Sequence, residues 1–367
     1  MIRLAMIGLG AAARNIHLPA YSLLRDRVQV VAASDPDSAA RAMAREKWGV
    51  SDVHEDARAM LEKTKLDVVS VCTPPVMHRD HSLLALEAGC HVFCEKPLAD
   101  NLQQADEMIR AAAKASRLLV VNNQFPSMNI HQAAKRRIGS PEFGRLLYLH
   151  AWETMTPTEF TESGWRGQLD RRLCFEFGIH VFDLIRFFFD AMPVRLLAHM
   201  PRPQASVRAD LVNVISVEFA DGRAASMVLD RLSKGPERYL DLRLDGEQAT
   251  IHTSLGGRLQ FAAGMHTRER RPFVEFDYAL GGRAVLQTGN RSRVIARDGL
   301  NPFATATARH LGAFLGALQT GKEPFAQAKD NRNTLALVMA AYDSASSGRA
   351  VELADYAPGH SGDSVPR

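Results

Sequence analysis

Cysteine is scarce in this sequence, and the four present, Cys72, Cys90, Cys94 and Cys174, are scattered. Their number and spacing exclude a disulfide framework and match no zinc-ligand pattern, so no metal site is expected. They suit a reduced cytoplasm, with Cys90 and Cys94 as small buried hydrophobes. Long apolar runs are also missing, and nothing approaches the roughly 20 residues a membrane-spanning helix needs. Charge of one sign is not in excess: 45 Lys and Arg against 41 Asp and Glu leave +4. A surplus that small and that spread out provides no footprint for nucleic acid or an anionic membrane. Met1-Ile2-Arg3-Leu4 enters a strand pattern at once, so no signal peptide is expected.

What remains is a soluble globular composition, 46% hydrophobic and 23% charged, over 367 residues. That length favours two domains with ample core. The stretch from Leu4 to Ala13 reads as a buried strand, a glycine turn and a helix start. Its pattern is Gly8-x-Gly10-x-x-Ala13. Glycines allow a tight turn and close backbone approach to a pyrophosphate, and a small third residue lets helix and strand pack. The anion would rest on the helix N-terminus. Gly8, Gly10, Ala11, Ala12 and Ala13 are therefore candidate cofactor-binding residues. A second strand, Val28 to Ser34, ends at Asp35. An acid at this distance accepts hydrogen bonds from the adenosine ribose and repels a 2′-phosphate, favouring NAD over NADP. Arg41 nearby softens that preference. The competing reading has Asp35 capping the helix that begins near Ser38.

Helical and strand patterns keep alternating: helices over 39–48, 57–63, 81–88 and 101–116, strands over 66–71 and 118–124. Repeated units of this kind give a doubly wound parallel sheet. Between them, Cys72-Thr73-Pro74-Pro75 is a rigid loop at the sheet's carboxyl end, suited to line one side of a flat ring. His78 follows; alone it reads as a capping or surface histidine. The strand of His91-Val92-Phe93-Cys94 stops at Glu95-Lys96-Pro97. Proline cannot donate to a central ladder, so Glu95 and Lys96 should stand at the strand's carboxyl end, where ligands bind in open α/β sheets. Taken alone, the pair also reads as a solvated ion pair.

Gly8-Leu-Gly-Ala-Ala-Ala13, Cys72-Thr-Pro-Pro…His78 and Cys94-Glu-Lys-Pro97, in this order, resemble the Gfo/Idh/MocA oxidoreductase family (glucose-fructose oxidoreductase / inositol dehydrogenase-like). The resemblance covers nearly the whole chain. It implies an α/β Rossmann domain at 1–123 and an α+β C-terminal domain at 124–355 with an open, mostly antiparallel sheet, followed by a flexible tail at 356–367. It also implies that Lys96 reaches both the nicotinamide ribose and the reacting oxygen. Thr73, Pro74, His78, Glu95, Lys96 and Arg166 join the cofactor-binding set on the same ground.

In the second half, Cys174 to Arg186 reads as a helix with Glu176, His180 and Asp183 on one face. An acid one turn before a histidine can orient its ring. His180 as general base, Glu176 as its orienter and Lys96 as electrostatic partner form a coherent catalytic set. The other reading is a helix-buried histidine satisfied by a local acid. The family resemblance assigns His180 through an Asp-x-x-x-His arrangement, in which Glu176 replaces the aspartate. The family's glycine run is replaced by Arg171-Arg172-Leu173-Cys174, whose arginines are expected to be solvated or to enter the pocket. Lys96, Gln124, Trp165, Arg166 and His180 are expected to line that pocket, Trp165 either stacking on a sugar ring or packing in core. Alternating segments over 212–219, 224–232, 239–244, 248–252 and 259–262 predict an antiparallel meander. The stretch Met265–Arg297 reads as a long irregular loop. Helices are expected over 303–319 and 330–347.

The resemblance thus implies an NAD-dependent dehydrogenase acting on a secondary hydroxyl of a sugar, glycoside or cyclic polyol. Homodimers or homotetramers through the C-terminal sheet follow from it. Two alternatives stay open at this stage: a glycoside-cleaving enzyme that works through transient oxidation, and a non-catalytic nucleotide-binding sensor.

Overall fold

The computed structural model describes residues 1–157, 164–204, 206–234, 239–265, 272–322, 324 and 326–359. Its first sheet has six strands: β1 Ile2–Ile7, β2 Val28–Ser34, β3 Asp52–His54, β4 Val68–Val71, β5 His91–Glu95 and β6 Leu119–Asn122. They run in the order β3-β2-β1-β4-β5-β6, and every pairing is parallel. The near-continuous apolar runs of β1, β4 and β5 suit a sheet covered on both faces. Helices α1 Leu18–Ser22, α2 Ser38–Trp48, α3 Ala57–Lys63, α4 His78–Glu87 and α5 Leu102–Ala115 supply the crossovers. Their starts are chemically marked: Asp37, Asp56 and Asn101 each accept a backbone N–H in the first turn of α2, α3 and α5. The cap of α2 is thus Asp37, which removes the capping reading of Asp35. Because all six strands run the same way, their outgoing loops share one edge of the sheet.

After α6 Asn129–Lys135 the chain builds a nine-stranded sheet. Its strands are β7 Leu146–Thr154, β8 Arg195–His199, β9 Val212–Glu218, β10 Ala224–Asp230, β11 Leu240–Gly246, β12 Thr250–Leu255, β15 Gly282–Thr288, β16 Arg291–Asp298 and β17 Val351–Glu352. The order is β16-β15-β12-β11-β7-β10-β9-β8-β17, antiparallel except for β7 with β10. Leu149, Ala151, Leu229 and Leu242 on one face are buried in the same core as α7 Ile179–Phe189. The opposite face exposes Tyr148, Trp152, Leu197 and Val214. β13 Arg258–Met265 and β14 Pro272–Ala279 form a separate two-stranded ribbon on which Leu259, Phe261 and Val274 are exposed.

Three expectations are corrected. The segment expected to be a long loop, Met265–Arg297, holds β14, β15 and β16. Gly281-Gly282 and the arginines of β16 mask a period-two pattern whose buried members are Ala284 and Leu286. The second unit also does not run unbroken from 124 to 355. Helix α8 Pro302–Thr320 returns to the first sheet, where Leu311, Phe314 and Leu315 share a core with Leu4, Met6 and Phe93. Phe314 stacks on Phe93 at 6.0 Å. Helix α9 Ala328–Ser347 then spans both units: Arg332 meets Asp106 of α5 at 3.0 Å, and Thr334 donates to Asp183 of α7 at 3.1 Å. Finally, Leu353–Tyr356 is a short helical turn, so the expected flexible tail starts no earlier than residue 357; residues 360–367 lie outside those described.

Candidate active site

The loops at the carboxyl ends of the first sheet and the start of α7 enclose a cleft of about 790 Å³. One wall is the glycine turn. Gly8 has φ +90°, and a Cβ there would lie 2.9 Å from the Cys72 carbonyl, so only glycine fits between β1 and the loop after β4. Gly10 is different: a Cβ would meet nothing within 4 Å, which leaves its backbone open to a ligand. Ala11 and Ala12 line the cleft beside it. Ala13 does not line it; this residue is fully buried and serves the packing of strand and helix. Asp35 ties the turn to β2, its Oδ2 accepting from the Leu9 N–H at 2.7 Å and its Oδ1 from the Asp37 N–H at 2.9 Å. Arg41 donates to the carbonyls of Asp35 and Pro36 at 2.7 and 2.9 Å.

Behind this wall lies a polar cluster that sequence reasoning missed. The turn continues as a π-helical segment, Ala13–His17, whose extra residue per turn directs His17 beneath the sheet. His17 Nε2 donates to Glu95 Oε1 at 2.6 Å, and Asn122 Nδ2 donates to the same oxygen at 2.7 Å. His17 Nδ1 meets the Tyr21 hydroxyl at 2.7 Å, which meets Ser70 at 2.6 Å. Burial alone would raise the Glu95 carboxyl, but the hydrogen bond and charge of His17 bring it down to about 2. His17 is held well above the usual imidazole range against its burial, by Cys72, Tyr21 and Glu95. A buried ion pair therefore ends β5, with Lys96 as the next residue.

Lys96 lines the cleft and is partly buried. Its Nζ donates to the Glu176 main-chain carbonyl at 2.5 Å and lies 5.5 Å from the Phe177 ring. Burial lowers its pKa from the ordinary lysine value, while Glu176 and Glu95 oppose that. His180 lines the same cleft, stacked on Phe125 at 3.9 Å with an interplanar angle of 3°. Burial, with Lys96 adding to it, pushes His180 well below the usual imidazole range. Gln124 is buried on the cleft wall, and its Oε1 has no hydrogen-bond partner. A cradle at Gly8, an open backbone at Gly10, an acid at the end of β2 and a vacant acceptor at Gln124 together fit a dinucleotide and a hydroxylated substrate.

The one-face grouping of Glu176, His180 and Asp183 is corrected. Residues Cys174–Gly178 form a second π-helical turn, which puts 176 and 180 out of the i, i+4 phase. Glu176 pairs with Arg166 at 3.0 Å rather than orienting His180. His180 Nδ1 instead meets Asn123 Oδ1 at 2.8 Å. Asp183 faces α9 through Thr334, and burial raises its carboxyl to about 6. The π turn is capped by Asp210, which accepts the N–H groups of Arg172, Leu173 and Cys174 at 2.7–3.0 Å. At its other end Gly178 sits so close to β10 that a Cβ would lie 2.7 Å from Leu229 Cδ1.

Other candidates land as follows. Thr73 and Pro74 line the cleft, as do Trp165 and Arg166, the guanidinium lying 4.3 Å over the indole ring. Glu95 borders the cleft, but its Oε1 is turned inward to His17. His78 is neither on the surface nor on the cleft: it is fully buried, between the carbonyls of Thr73 at 2.8 Å and Pro97 at 2.7 Å. It braces the two loops that frame Lys96. Of the arginines expected in solvent or in the pocket, Arg172 is buried beside Glu176 and Arg171 lies against Met339 and Tyr342. Phe125, Tyr239 and Phe303 also line the cleft. No local signal marks them, because three distant segments supply them.

Residues 2–123 match the family described as "Oxidoreductase family, NAD-binding Rossmann fold" (GFO_IDH_MocA), and residues 131–252 match the GFO/IDH/MocA C-terminal domain. The chain is 29% identical to a D-apiose dehydrogenase of Paraburkholderia graminis over 95% of its own length and 89% of that protein's. It is 46% identical to a D-glucoside 3-dehydrogenase of Escherichia coli over 32% of this chain and 33% of that one. Among solved structures, an oxidoreductase from Agrobacterium radiobacter in complex with NAD+, L-tartaric acid and magnesium superposes with a TM-score of 0.80. The identity there is 21%, with 97% of this chain and 99% of that one covered. A myo-inositol 2-dehydrogenase from Lactobacillus plantarum gives 0.75 at 21% identity, covering 96% and 99%.

Among the described buried acids outside the cleft lining, one stands without a hydrogen-bond partner. Glu153 of β7 is fully buried and neither carboxyl oxygen has a hydrogen-bond partner. Burial raises it to about 8, with Lys96 pulling the other way. An unfolded glutamate ionises near about 4.3. Between those values the native state holds the extra proton, so stability falls as pH rises through that window. Glu153→Gln cannot ionise and should lose this component. Melting temperatures measured from about pH 5 to pH 8 should decline less in the variant than in the wild type. Parallel declines would show that Glu153 is ionised in the fold.

Proposed function

This chain belongs to the Gfo/Idh/MocA oxidoreductase family, and on that premise we propose that it oxidises a secondary hydroxyl of a sugar, glycoside or cyclic polyol, with NAD as the hydride acceptor. The observation that carries the reading is the convergence of Lys96, His180 and Gln124 on one cleft that also holds the glycine turn. Relatives named for apiose, glucosides and inositol support the substrate class.

A hydroxyl that gives up hydride must also lose its proton. His180, kept neutral by burial, is suited to take it. Lys96 supplies an ammonium beside it; one of its donors is engaged by the Glu176 carbonyl, and the others are left to stabilise a developing alkoxide. Gln124 and Trp165 hold the substrate's remaining hydroxyls and ring. Arg166, stacked on Trp165 and tied to Glu176, closes that side of the pocket. When bound, NAD supplies the electron-accepting ring for this step. Gly8, Gly10, Ala11 and Ala12 would hold its pyrophosphate, Asp35 its adenosine ribose, and Thr73 and Pro74 its nicotinamide end.

The exposed apolar face of the nine-stranded sheet supports a homodimer or homotetramer assembled through it. The four free, buried cysteines support a reduced cytoplasm as the compartment.

Four measurements test these points. A panel of sugars and polyols with NAD, followed by NADH absorbance, should find a substrate. With it, Lys96→Met should lower kcat by about 10²–10³ while NAD affinity moves far less, because charge stabilised only in the transition state raises rate rather than binding. Collapse of NAD binding with near-normal kcat at saturation would make Lys96 a cofactor anchor instead. For cofactor choice, the Asp35 carboxylate should favour NAD over NADP, with Arg41 moderating it. Asp35→Ser should narrow the gap in Kd by about ten- to a hundredfold, or roughly 1.4–2.8 kcal/mol; equal Kd values in the wild type would overturn this. Sedimentation velocity should show a dimer or tetramer that Trp152→Glu weakens, and a wild-type monomer would overturn the assembly.

A further inference from the structure

Three side chains run inward from the cleft and settle which nitrogen of His180 carries a proton. The innermost is Asn331, in the first turn of α9 and almost completely buried. Its Nδ2 lies 3.3 Å from the Ala326 carbonyl and 3.4 Å from the Gln327 carbonyl. Carbonyls only accept hydrogen bonds, so the amide must turn its NH2 toward them. Its Oδ1 then faces the other way and accepts from Asn123 Nδ2 at 3.3 Å. With its NH2 engaged there, Asn123 presents Oδ1 to His180 Nδ1 at 2.8 Å. An amide oxygen also only accepts, so Nδ1 must carry the hydrogen. A neutral imidazole has one N–H, which leaves Nε2 with a free lone pair on the ring's other side, where His180 lines the cleft. The stack on Phe125 holds the ring plane. The chain is anchored at its far end, because the Ala326 carbonyl also accepts from the Val121 N–H of β6, three residues before Asn123's neighbour Gln124.

We propose that Asn123 and Asn331 are positioning residues that lock His180 as its Nδ1–H tautomer, so that an unprotonated Nε2 meets the substrate hydroxyl. The assignment of His180 as base rests on the function proposed above; the tautomer does not. The choice of an amide over a carboxylate has a consequence. A carboxylate at Asn123 would favour the imidazolium, whereas the amide orients the ring without adding charge, so the base stays free to lower pH.

The test is ¹⁵N NMR of histidine-labelled protein, with the His180 signals assigned by their loss in His180→Gln. The wild type should show a protonated Nδ1 and a bare Nε2. Asn331→Leu, which touches neither ring nor cleft, should free the Asn123 amide to flip and give a mixture of tautomers. Asn123→Asp, close in shape, should keep Nδ1–H but raise the His180 pKa by at least about one unit, as an adjacent opposite charge does. A bare Nδ1 in the wild type, or an unchanged tautomer in folded Asn331→Leu, would overturn the proposal. Should Asn331→Leu not fold, the wild-type tautomer and the Asn123→Asp shift still decide it. Kinetics separate the two claims. If His180 is the base, the acid limb of kcat/KM should move up with the NMR pKa in Asn123→Asp. If the NMR shift appears and the limb stays put, the tautomer stands and the base assignment falls.

Discussion

A carboxylate buried at the end of β5 governs the geometry of this protein. Glu95 is enclosed by the first sheet, and it remains ionised because His17 and Asn122 both donate to one of its oxygens. Burying two charges costs several kcal/mol per ion, and only close, fully hydrogen-bonded geometry offsets it. The pair therefore adds little to net stability. Its contribution is to fix the point where β5 stops and Lys96 begins, since any shift of that point would leave a buried charge unpaired. His78 braces the same place from the other side through the Thr73 and Pro97 carbonyls.

The opposite wall of the cleft is set by a comparable local device. Two π-helical turns, Ala13–His17 and Cys174–Gly178, each insert a residue into a helix start. The first directs His17 under the sheet toward Glu95. The second separates Glu176 from His180, leaving the glutamate side chain to Arg166 and its carbonyl to Lys96. Such insertions are common at functional sites because they break helical phase without ending the helix. Asp210 anchors the start of the second turn by accepting the N–H groups of Arg172, Leu173 and Cys174.

Helices α8 and α9 join the two walls. The first completes the core under β5 through Phe314, and the second carries Thr334 and Asn331 to α7 and to the end of β6. The cleft is thus held by segments from both ends of the chain. Surface ion pairs away from the cleft matter less, since pairs such as Arg145 with Asp221 are largely solvated and contribute little.

The sequence by itself determined the parallel sheet, the glycine turn, Asp35 at the end of β2 and Lys96 at the end of β5. Apolar run length, glycine, proline and cap chemistry are local properties, and they act the same way in any surroundings. It also marked His180 and Gln124 as cleft residues. Tertiary structure alone decided the partners. The two π turns carry no compositional signal, so a regular helix predicted Glu176 beside His180 where the fold puts Asn123. The return of α8 to the first sheet was illegible for the same reason: an amphipathic helix states that it packs, but not on what. The strands of 272–298 were hidden because arginines on an exposed strand look like loop until a neighbour pairs with them. His17, Asn331 and Glu153 acquire their meaning only from burial, which depends on residues scores of positions away.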